Sequence, residues 1–426
     1  MTAIILFVSF FILLALSVPI GISLGLATMI SLLYSETMSL NFIAQSLVTE
    51  TDSFPLMAVP FFILAGELMG RGGVTNRLYN LAYVMVGGFT GGFAMATIVV
   101  CMFFAAISGS GPATVAAIGA IMIPAMVDMG YDKKFATATV AAAGTIGVII
   151  PPSIPMIVYG TSSLTSIGDM FIAGIVPGIL IGIILMIWAY IYSKKQGYKG
   201  REEKATFKNF IKSIWDAKWA LIIPVIILGG IYGGIFTPTE AAVVAVAVAL
   251  IIGLFLHREL KFKDLFGVFR DAALTTATIL IIVGVAAAFG RLLTIEQIPT
   301  QVAVLITDLS TNPIIILLLI TLLLLIVGSF METVAAIIIM TPILMPIVTE
   351  LGLDPVHFGI MMVVNLAIGF ITPPVGVNLF VGSGISGIPI MTLARAVVPY
   401  LIALILSLLI IIFVPQLSTF LVSLGD

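Results

Sequence analysis

The amino-acid sequence predicts an all-α integral membrane protein with an inverted repeat, in which each copy contains a re-entrant helical hairpin and a transmembrane helix broken at Pro-Pro. Composition, the distribution of charge and an internal similarity predict this fold. Hydrophobic residues make up 61% of the 426 residues and charged residues 9%, with a mean hydropathy of +1.27. A soluble domain has about 45–50% apolar and about 25% charged residues, so this chain requires lipid as its solvent.

Basic residues are enriched in the cytoplasmic loops of membrane proteins. Their densest cluster predicts a cytoplasmic basic loop at residues 194–218. When the spans are counted outward from this loop, both termini lie outside the cytoplasm, and Arg291 is the one basic residue predicted to lie outside. Arg291 either anchors a helix end at the interface or attracts an anionic substrate or a docking protein.

Two apolar segments contain interruptions that predict helical hairpins. Residues 91–128 are interrupted at Ser108–Pro112, and the basic residues beyond both flanks predict entry from the cytoplasmic side. Residues 311–349 are interrupted at Gly328–Thr333, and acidic flanks predict entry from the opposite face. Helical segments of about 14 residues are too short to cross the lipid and are typical of re-entrant elements.

The two hairpin regions resemble each other. The sequence of Thr114–Ile118 reappears at Thr333–Ile337, an offset of 219 residues, and that of Gly147–Pro152 reappears in related form at Gly369–Pro374, an offset of 222. The difference predicts a three-residue insertion in the second hairpin. Each copy consists of a hairpin, a turn and a helix interrupted by Pro-Pro, and the opposite entry faces make the repeat inverted.

This repeat divides the chain into five predicted parts. The first half has N-terminal scaffold helices and an arm at 1–90, then a first transport repeat at 91–193 with hairpin 91–128, broken helix 135–160 and following helix 170–193. After the loop at 194–218, the second half has scaffold helices and an arm at 219–310, then a second transport repeat at 311–426 with hairpin 311–349, broken helix 356–383 and C-terminal helix 395–420.

The breaks in these helices predict binding sites. Backbone groups freed at a break cannot face lipid, so protein, water or a ligand must satisfy them. Free carbonyls at the end of an entering half-helix suit a sodium ion, and free amides at the start of a returning half-helix suit a carboxylate. Inverted repeats with broken helices place substrates and coupling ions near the membrane midplane. We therefore predict two or more bound Na⁺ ions with an anion site between them.

The predicted ligands are small polar residues and glycines of the tips and breaks. The first sodium site is predicted at Ser108, Ser110, Gly111, Gly144, Thr145 and Gly147, and the second at Gly328, Met331, Thr333, Gly369 and Thr372. The predicted substrate-binding residues are Ser110, Ser153, Glu332, Thr372 and Asn378. Close helix packing is the alternative role for the small residues, helix capping for Glu332, and satisfaction of free backbone for Asn378.

The sequence contains no Walker motif, dinucleotide fingerprint or zinc-ligand spacing, and its single cysteine, Cys101, excludes an intrachain disulfide framework. These absences indicate a protein that is not an enzyme and does not itself hydrolyse ATP. A channel would require a polar pathway with rings of charge, which the sequence lacks.

Four motifs together resemble the large membrane subunit of tripartite ATP-independent periplasmic (TRAP) transporters, of the DctM or SiaM type. They lie at Ser108–Thr114, Gly144–Ser153, Phe236–Ala242 and Gly369–Gly376. The resemblance implies an elevator-type transporter in the bacterial inner membrane, with periplasmic termini. It implies sodium-coupled import of an organic acid of the sialic acid or C4-dicarboxylate type, delivered by a periplasmic substrate-binding protein.

The resemblance also implies a small four-helix membrane subunit as a partner. Because no extra helices precede Met1, we expect that subunit to be a separate chain. The alternative is a stand-alone symporter of sodium and divalent anions that needs no binding protein.

Overall fold

The structure is a computed structural model that describes residues 1–35, 38–200, 206–309 and 312–424. The described residues form helices and no strands. Eight of these helices are long and apolar enough to cross a membrane, or nine if one bent pair counts as a span. Arg201 and Lys204 of the predicted basic loop, and the segment ends at 310–311 and 425–426, lie outside the described residues. The all-α membrane fold is confirmed.

The first half of the chain contains ten helices within the described residues. They are α1 Thr2–Ala15, α2 Ile20–Ser35, α3 Asn41–Thr51, α4 Ala58–Arg71, α5 Val74–Val86, α6 Gly92–Ser108, α7 Gly111–Asp128, α8 Lys133–Ala143, α9 Ile154–Ser163 and α10 Ile167–Gln196.

The second half contains ten more within the described residues. They are α11 Phe207–Tyr232, α12 Pro238–Ile251, α13 Phe262–Ile295, α14 Ile298–Leu309, α15 Pro313–Phe330, α16 Thr333–Glu350, α17 Pro355–Gly369, α18 Val377–Ser386, α19 Ile390–Phe413 and α20 Gln416–Thr419.

Both predicted hairpins are present, as α6–α7 and α15–α16, but the predicted three-residue insertion is wrong. Helices α7 and α16 each have 18 residues, and both ends of α16 lie 222 residues after those of α7. The residues before them, Ser110 and Glu332, are both N-caps whose side chains accept backbone N–H groups. Capping determines where a helix begins. The match between Thr114–Ile118 and Thr333–Ile337 is therefore out of register and reflects only similar small apolar residues.

Each hairpin is followed by a broken helix, as predicted. Helix α8 continues as a 3₁₀ turn over Gly144–Val148 and stops at Pro151-Pro152 before α9 begins. Helix α17 stops before Pro373-Pro374, and α18 follows. Proline lacks the N–H that a helix interior requires. Every residue from position 135 to 143 and from 357 to 369 is buried, so the first parts of the broken helices form the centre of the packed core.

Two segments differ from the sequence expectation. Residues 194–218 are not a continuous loop, because α11 begins at Phe207, where Thr206 caps it by accepting the Asn209 N–H at 3.2 Å. The C-terminal helix, predicted at 395–420, spans Ile390–Phe413. The chain continues to Pro415, and prolines commonly follow helix ends because they cannot continue the hydrogen-bond ladder.

Helix α13 connects the two halves of the molecule. It is continuous over 34 residues, whereas the corresponding α3 and α4 are bent by 69° at a break that contains Pro55. Helix α13 packs against α2, α3 and α4 on one side and against α16 of the second hairpin on another. The side chains of α13 therefore face the region where the hairpin tips meet.

We predict that Asp354→Ala destabilises the second broken helix. The Asp354 carboxylate accepts the N–H groups of Val356 at 2.7 Å and His357 at 3.2 Å. Loss of such an N-cap costs about 1 kcal/mol, which a titration of unfolding with SDS in mixed micelles would measure. Asp354→Asn keeps an acceptor oxygen and is expected to retain most of the stability. Equal losses in both variants would contradict the capping role.

Candidate functional site

A cavity of about 380 Å³ lies between the tips of the two hairpins. We call this space the central cavity. Pairs of residues at equivalent positions of the repeat line it: Ser110 and Glu332, Pro112 and Val334, and Val148 and Phe370. Because equivalent positions of both copies meet here, the central cavity lies at the pseudo-two-fold axis of the repeat, where transporters of this architecture bind their substrates.

Helix α13 supplies another wall of the central cavity, through Thr275 and Thr278, which the sequence analysis missed. Each hydroxyl donates to a carbonyl of its own helix at 3.0 Å, and both side chains are exposed. A threonine hydroxyl that donates one hydrogen bond still has lone pairs available to accept another. The signal that could have identified them is the group of threonines at 275, 276 and 278 in the stretch Ala272–Phe289, whose other residues are apolar.

The first tip and the first break meet as predicted, and their oxygen atoms cluster. The Ser108 hydroxyl lies 3.0 Å from that of Thr114, which donates to the Ser110 carbonyl at 2.8 Å. A Cβ atom on Gly147 would lie 2.5 Å from the Ser110 carbonyl oxygen and 2.7 Å from the Thr114 hydroxyl. Hydroxyl and carbonyl oxygens are the ligands that hard cations prefer, and the absence of a side chain at Gly147 lets them approach the 3₁₀ turn.

The rest of the first predicted sodium site is tightly packed. A Cβ on Gly111 would lie 3.1 Å from the Gly144 carbonyl oxygen, and one on Gly144 would lie 2.2 Å from a methyl of Val115. The Thr145 hydroxyl is buried and donates to the Ala142 carbonyl at 2.7 Å. The structure therefore brings the six predicted residues together, with the Thr145 hydroxyl directed toward its own helix.

Asn378 lies beside the first tip rather than the second. Its amide nitrogen donates to the Ala141 carbonyl at 3.0 Å and lies near Gly144, and its side chain is fully buried. Its amide oxygen is buried without a hydrogen-bond partner among the described residues. Because an unsatisfied buried oxygen costs about 1–3 kcal/mol, this atom is open to a further partner.

The second tip and the second break also meet. A Cβ on Gly369 would lie 2.1 Å from the Gly328 carbonyl oxygen, so these two backbones are in contact. Met331 is the C-cap of α15, and Thr333 begins α16 with a buried hydroxyl that has no partner among the described residues. The Thr372 hydroxyl donates to the Ile368 carbonyl at 2.8 Å. The five residues predicted for the second sodium site thus lie on adjoining elements.

Glu332 both caps a helix and lines the central cavity. Its carboxylate accepts the N–H of Val334 at 2.8 Å and that of Ala335 at 3.3 Å. The expectation of free amides at the second returning half-helix is therefore wrong, because Glu332 already bonds them and offsets the positive end of the α16 dipole. At the first tip the corresponding cap, Ser110, is neutral.

Ser153 lies behind the wall of the central cavity. It is fully buried, donates to the Val148 carbonyl at 2.6 Å and caps α9 through the Met156 N–H at 3.4 Å. Ile154 and Pro155 line the cavity in its place. The structure thus places Ser110 and Glu332 on the wall but not Ser153, Thr372 or Asn378, and the role of these five residues in substrate binding stays a prediction.

Backbone hydrogen bonds join each tip to its break. The Ile154 N–H donates to the Gly109 carbonyl at 3.4 Å in the first copy, and the Val375 N–H donates to the Ser329 carbonyl at 3.2 Å in the second. Gly109 has a φ of +59° and lies in the left-handed region, which glycine adopts without strain. Each tip is thereby hydrogen-bonded to its own broken helix.

A second cavity of about 660 Å³ continues from the central one and shares lining residues with it, including Ser110 and Thr275. We call it the inner passage. It extends from the first tip to Glu67, Arg71 and Glu259, on the side that the basic residues assign to the cytoplasm.

Comparison with known proteins identifies relatives over almost the whole chain. The family model described as "Tripartite ATP-independent periplasmic transporter, DctM component" matches residues 7–417. The isethionate TRAP transporter permease protein DctMQ of Oleidesulfovibrio alaskensis is 54% identical over 98% of this chain, which spans 66% of that protein, just under two thirds. The C4-dicarboxylate TRAP transporter large permease protein DctM of Pseudomonas aeruginosa is 43% identical over 93% of this chain and 92% of its own length.

The sialic acid TRAP transporter large permease protein SiaM of Vibrio cholerae is 39% identical and covers 93% of each chain. Among solved structures, the Alcanivorax borkumensis YdaH transporter matches with a TM-score of 0.65 at 15% identity, over 90% of this chain and 89% of that one. At this identity the likeness shows a shared fold.

We predict that Gly369→Ala disrupts the second tip. The added methyl would collide with the Gly328 carbonyl oxygen, and relief of such overpacking costs about 1–3 kcal/mol. Gly384→Ala is the matched control, because nothing lies within 4 Å of its added Cβ. Unfolding free energies in detergent would compare the two variants, and equal stability would contradict the close approach of α15 and α17.

Proposed function

Because the chain belongs to the family of DctM components of tripartite ATP-independent periplasmic transporters, we propose that it imports a small organic acid together with sodium. As a transporter permease of this family it is not an enzyme. The observation that carries the proposal is the central cavity, which matching residues of both hairpin tips line. The hairpins and broken helices would move as one rigid unit in an elevator motion, while the remaining helices form a static scaffold.

Sodium coupling is supported by the oxygen atoms at the two tips. In the first copy the Ser110 carbonyl and the hydroxyls of Ser108 and Thr114 cluster beside Gly147. The buried oxygens of Asn378 and Thr333 have no partner among the described residues, and a bound cation would supply one. Sodium is a cargo ion in this proposal, and its binding would hold each tip against its break.

The anionic group of the substrate would bind at the first tip. No Lys or Arg is among the described residues that line the central cavity. The N-terminus of α7 has a neutral cap, Ser110, so its positive dipole end is available to an anion. Glu332 has the opposite effect at α16, because its carboxylate repels an anion. The hydroxyls of Thr275 and Thr278 would orient polar groups of the acid from the scaffold side.

The acids to test first are small carboxylates and sulfonates. The relatives described above are named for isethionate, C4-dicarboxylate and sialic acid. A central cavity of about 380 Å³ is near the lower end of the range of small-molecule sites, about 300–1,000 Å³. This size accommodates isethionate and C4-dicarboxylates.

The proposed complex includes a small membrane subunit and a periplasmic binding protein in the bacterial inner membrane, with both termini of this chain in the periplasm. The DctMQ relative is half as long again as the segment that this chain matches. A second component fused to the large one would account for that extra length, and we propose a small membrane subunit as a partner of this chain.

We predict sodium-dependent uptake of isethionate or a C4-dicarboxylate in proteoliposomes that contain this chain, its small membrane subunit and the loaded binding protein. Uptake of labelled acid should require an inward sodium gradient and cease when potassium replaces sodium. Unchanged uptake without sodium would contradict the coupling. Full uptake by this chain alone would instead support the stand-alone symporter.

We predict that Gly147→Ala weakens sodium binding by about tenfold or more, which corresponds to about 1.4 kcal/mol. Its methyl would press on the Ser110 carbonyl and the Thr114 hydroxyl. A ligand that binds the folded state stabilises it in proportion to RT ln(1 + [L]/Kd), so the sodium dependence of the melting temperature in detergent reports the affinity. Gly384→Ala should behave as wild type, and an unchanged sodium response in Gly147→Ala would refute the first site.

A further inference from the structure

We propose that Arg71 forms an anion-binding position in the inner passage, where an organic anion that leaves the central cavity displaces Asp271 from the Arg71 guanidinium. The identification of this anion with a transported carboxylate or sulfonate rests on the proposed function. The anion-binding position itself does not, because it follows from the charges that line the passage.

The inner passage leads from the first hairpin tip directly to Arg71. One end is lined by Ser108 and Ser110, and the other by Glu67, Arg71 and Glu259. Arg71 is the one basic residue among the described residues that line the passage. An anion that moves along the passage from the neutral first tip therefore meets this guanidinium before the cytoplasm.

The ion pairs of Arg71 leave it able to exchange partners. Its Nη2 lies 2.5 Å from a carboxylate oxygen of Asp271, and its Nε lies 3.7 Å from Glu67. A guanidinium has five N–H donors, so these contacts leave donors for a third anion. The side chain is 43% exposed, and ion pairs at such exposure are worth at most about 1 kcal/mol.

Asp271 can release Arg71 without becoming an unpaired charge. Its other carboxylate oxygen lies 3.0 Å from a terminal nitrogen of Arg270, which does not line the passage. Glu259, the remaining acid of the lining, is paired with Arg77 at 2.7 Å. Displacement of Asp271 by an anion thus leaves each carboxylate with at least one cationic neighbour, so the exchange costs little and binding stays weak enough for release.

The first test measures the preference of the passage for anions without any transport. Ala116 lines the passage and is exposed, and the natural Cys101 is fully buried. Ala116→Cys in purified protein would be labelled with an anionic and a cationic methanethiosulfonate reagent. We compare the rate of labelling by the anionic reagent with that by the cationic reagent. The ratio of these two rates should fall several-fold with Arg71→Gln. It should rise several-fold with Asp271→Asn, which frees the Arg71 guanidinium.

The opposite signs separate anion binding from a structural role. If the Arg71–Asp271 pair served stability alone, both substitutions would lower the melting temperature and leave the ratio unchanged or shift it in the same direction. Either result would overturn the proposal. Arg270→Gln removes the cation that keeps Asp271 paired after displacement, so its ratio should fall by less than that of Arg71→Gln, and a ratio above that of the parent protein would overturn the proposed exchange.

The second test applies the same variants to counterflow in proteoliposomes with acid inside. The internal concentration for half-maximal exchange should rise about tenfold with Arg71→Gln, as expected for the loss of one charge-assisted hydrogen bond, and should fall with Asp271→Asn. Equal values in all variants would refute a role in release. If the wild-type complex carries no acid, the proposed function fails, and the labelling ratios still decide whether Arg71 binds anions.

Discussion

Backbone N–H and C=O groups inside a membrane need partners, and the centre of this protein is organised by that requirement. Helices stop within the core at two tips and two breaks. In each copy, a hydrogen bond between tip and break satisfies part of the backbone that is freed there. The Ile154 N–H donates to the Gly109 carbonyl in the first copy, and the Val375 N–H donates to the Ser329 carbonyl in the second. Tip and break are therefore joined in each copy by a backbone hydrogen bond.

The groups that the tips offer to a ligand are mostly oxygen atoms. Around the first tip they include the Ser110 carbonyl, to which the Thr114 hydroxyl donates, and the Asn378 amide oxygen, which has no partner among the described residues. Such oxygens carry partial charge and no net charge. A cation that binds them brings positive charge into the site without a basic side chain, which would be costly to bury in a membrane.

The two copies of the repeat share a register and differ in charge. Ser110 and Glu332 both cap the returning helix of their hairpin, but the carboxylate of Glu332 offsets the positive helix end and the hydroxyl of Ser110 does not. In the proposed function, the end of the cavity at Ser110 would favour an anion and the end at Glu332 would disfavour it. The inner passage begins at the first tip, whose cap is the neutral Ser110, and leads to Arg71. The passage thus opens from the end of the cavity that has no carboxylate.

The scaffold contributes more to the site than its sequence suggests. Helix α13 carries Thr275 and Thr278 to the wall of the central cavity and Asp271 to Arg71, all on one continuous helix. The corresponding α3 and α4 are bent. A straight helix against one hairpin and a bent pair in the other half make the surroundings of the two tips unequal, although the hairpins themselves match closely.

The sequence by itself determined the features that depend on local chemistry. Composition identified the lipid environment, and Pro-Pro at 151–152 and 373–374 identified the breaks, because two adjacent prolines remove two successive N–H donors from the helix ladder. The tertiary structure decided what depends on packing. Helix caps, not the repeated Thr-Val-Ala-Ala-Ile, set the register of the second tip at 222 residues.

Packing between the two copies of the repeat also brings some residues into contact with the opposite copy, and the sequence around these residues does not predict those contacts. Asn378 follows the second break but lies beside Gly144 of the first, and Phe370 packs on Gly111 of the opposite tip. Similar small apolar sequences pack in many ways, so their pattern predicts that helices meet without predicting which atoms touch. The contacts of Asn378 and Phe370 form only when the two copies pack against each other, because each copy then covers backbone of the other.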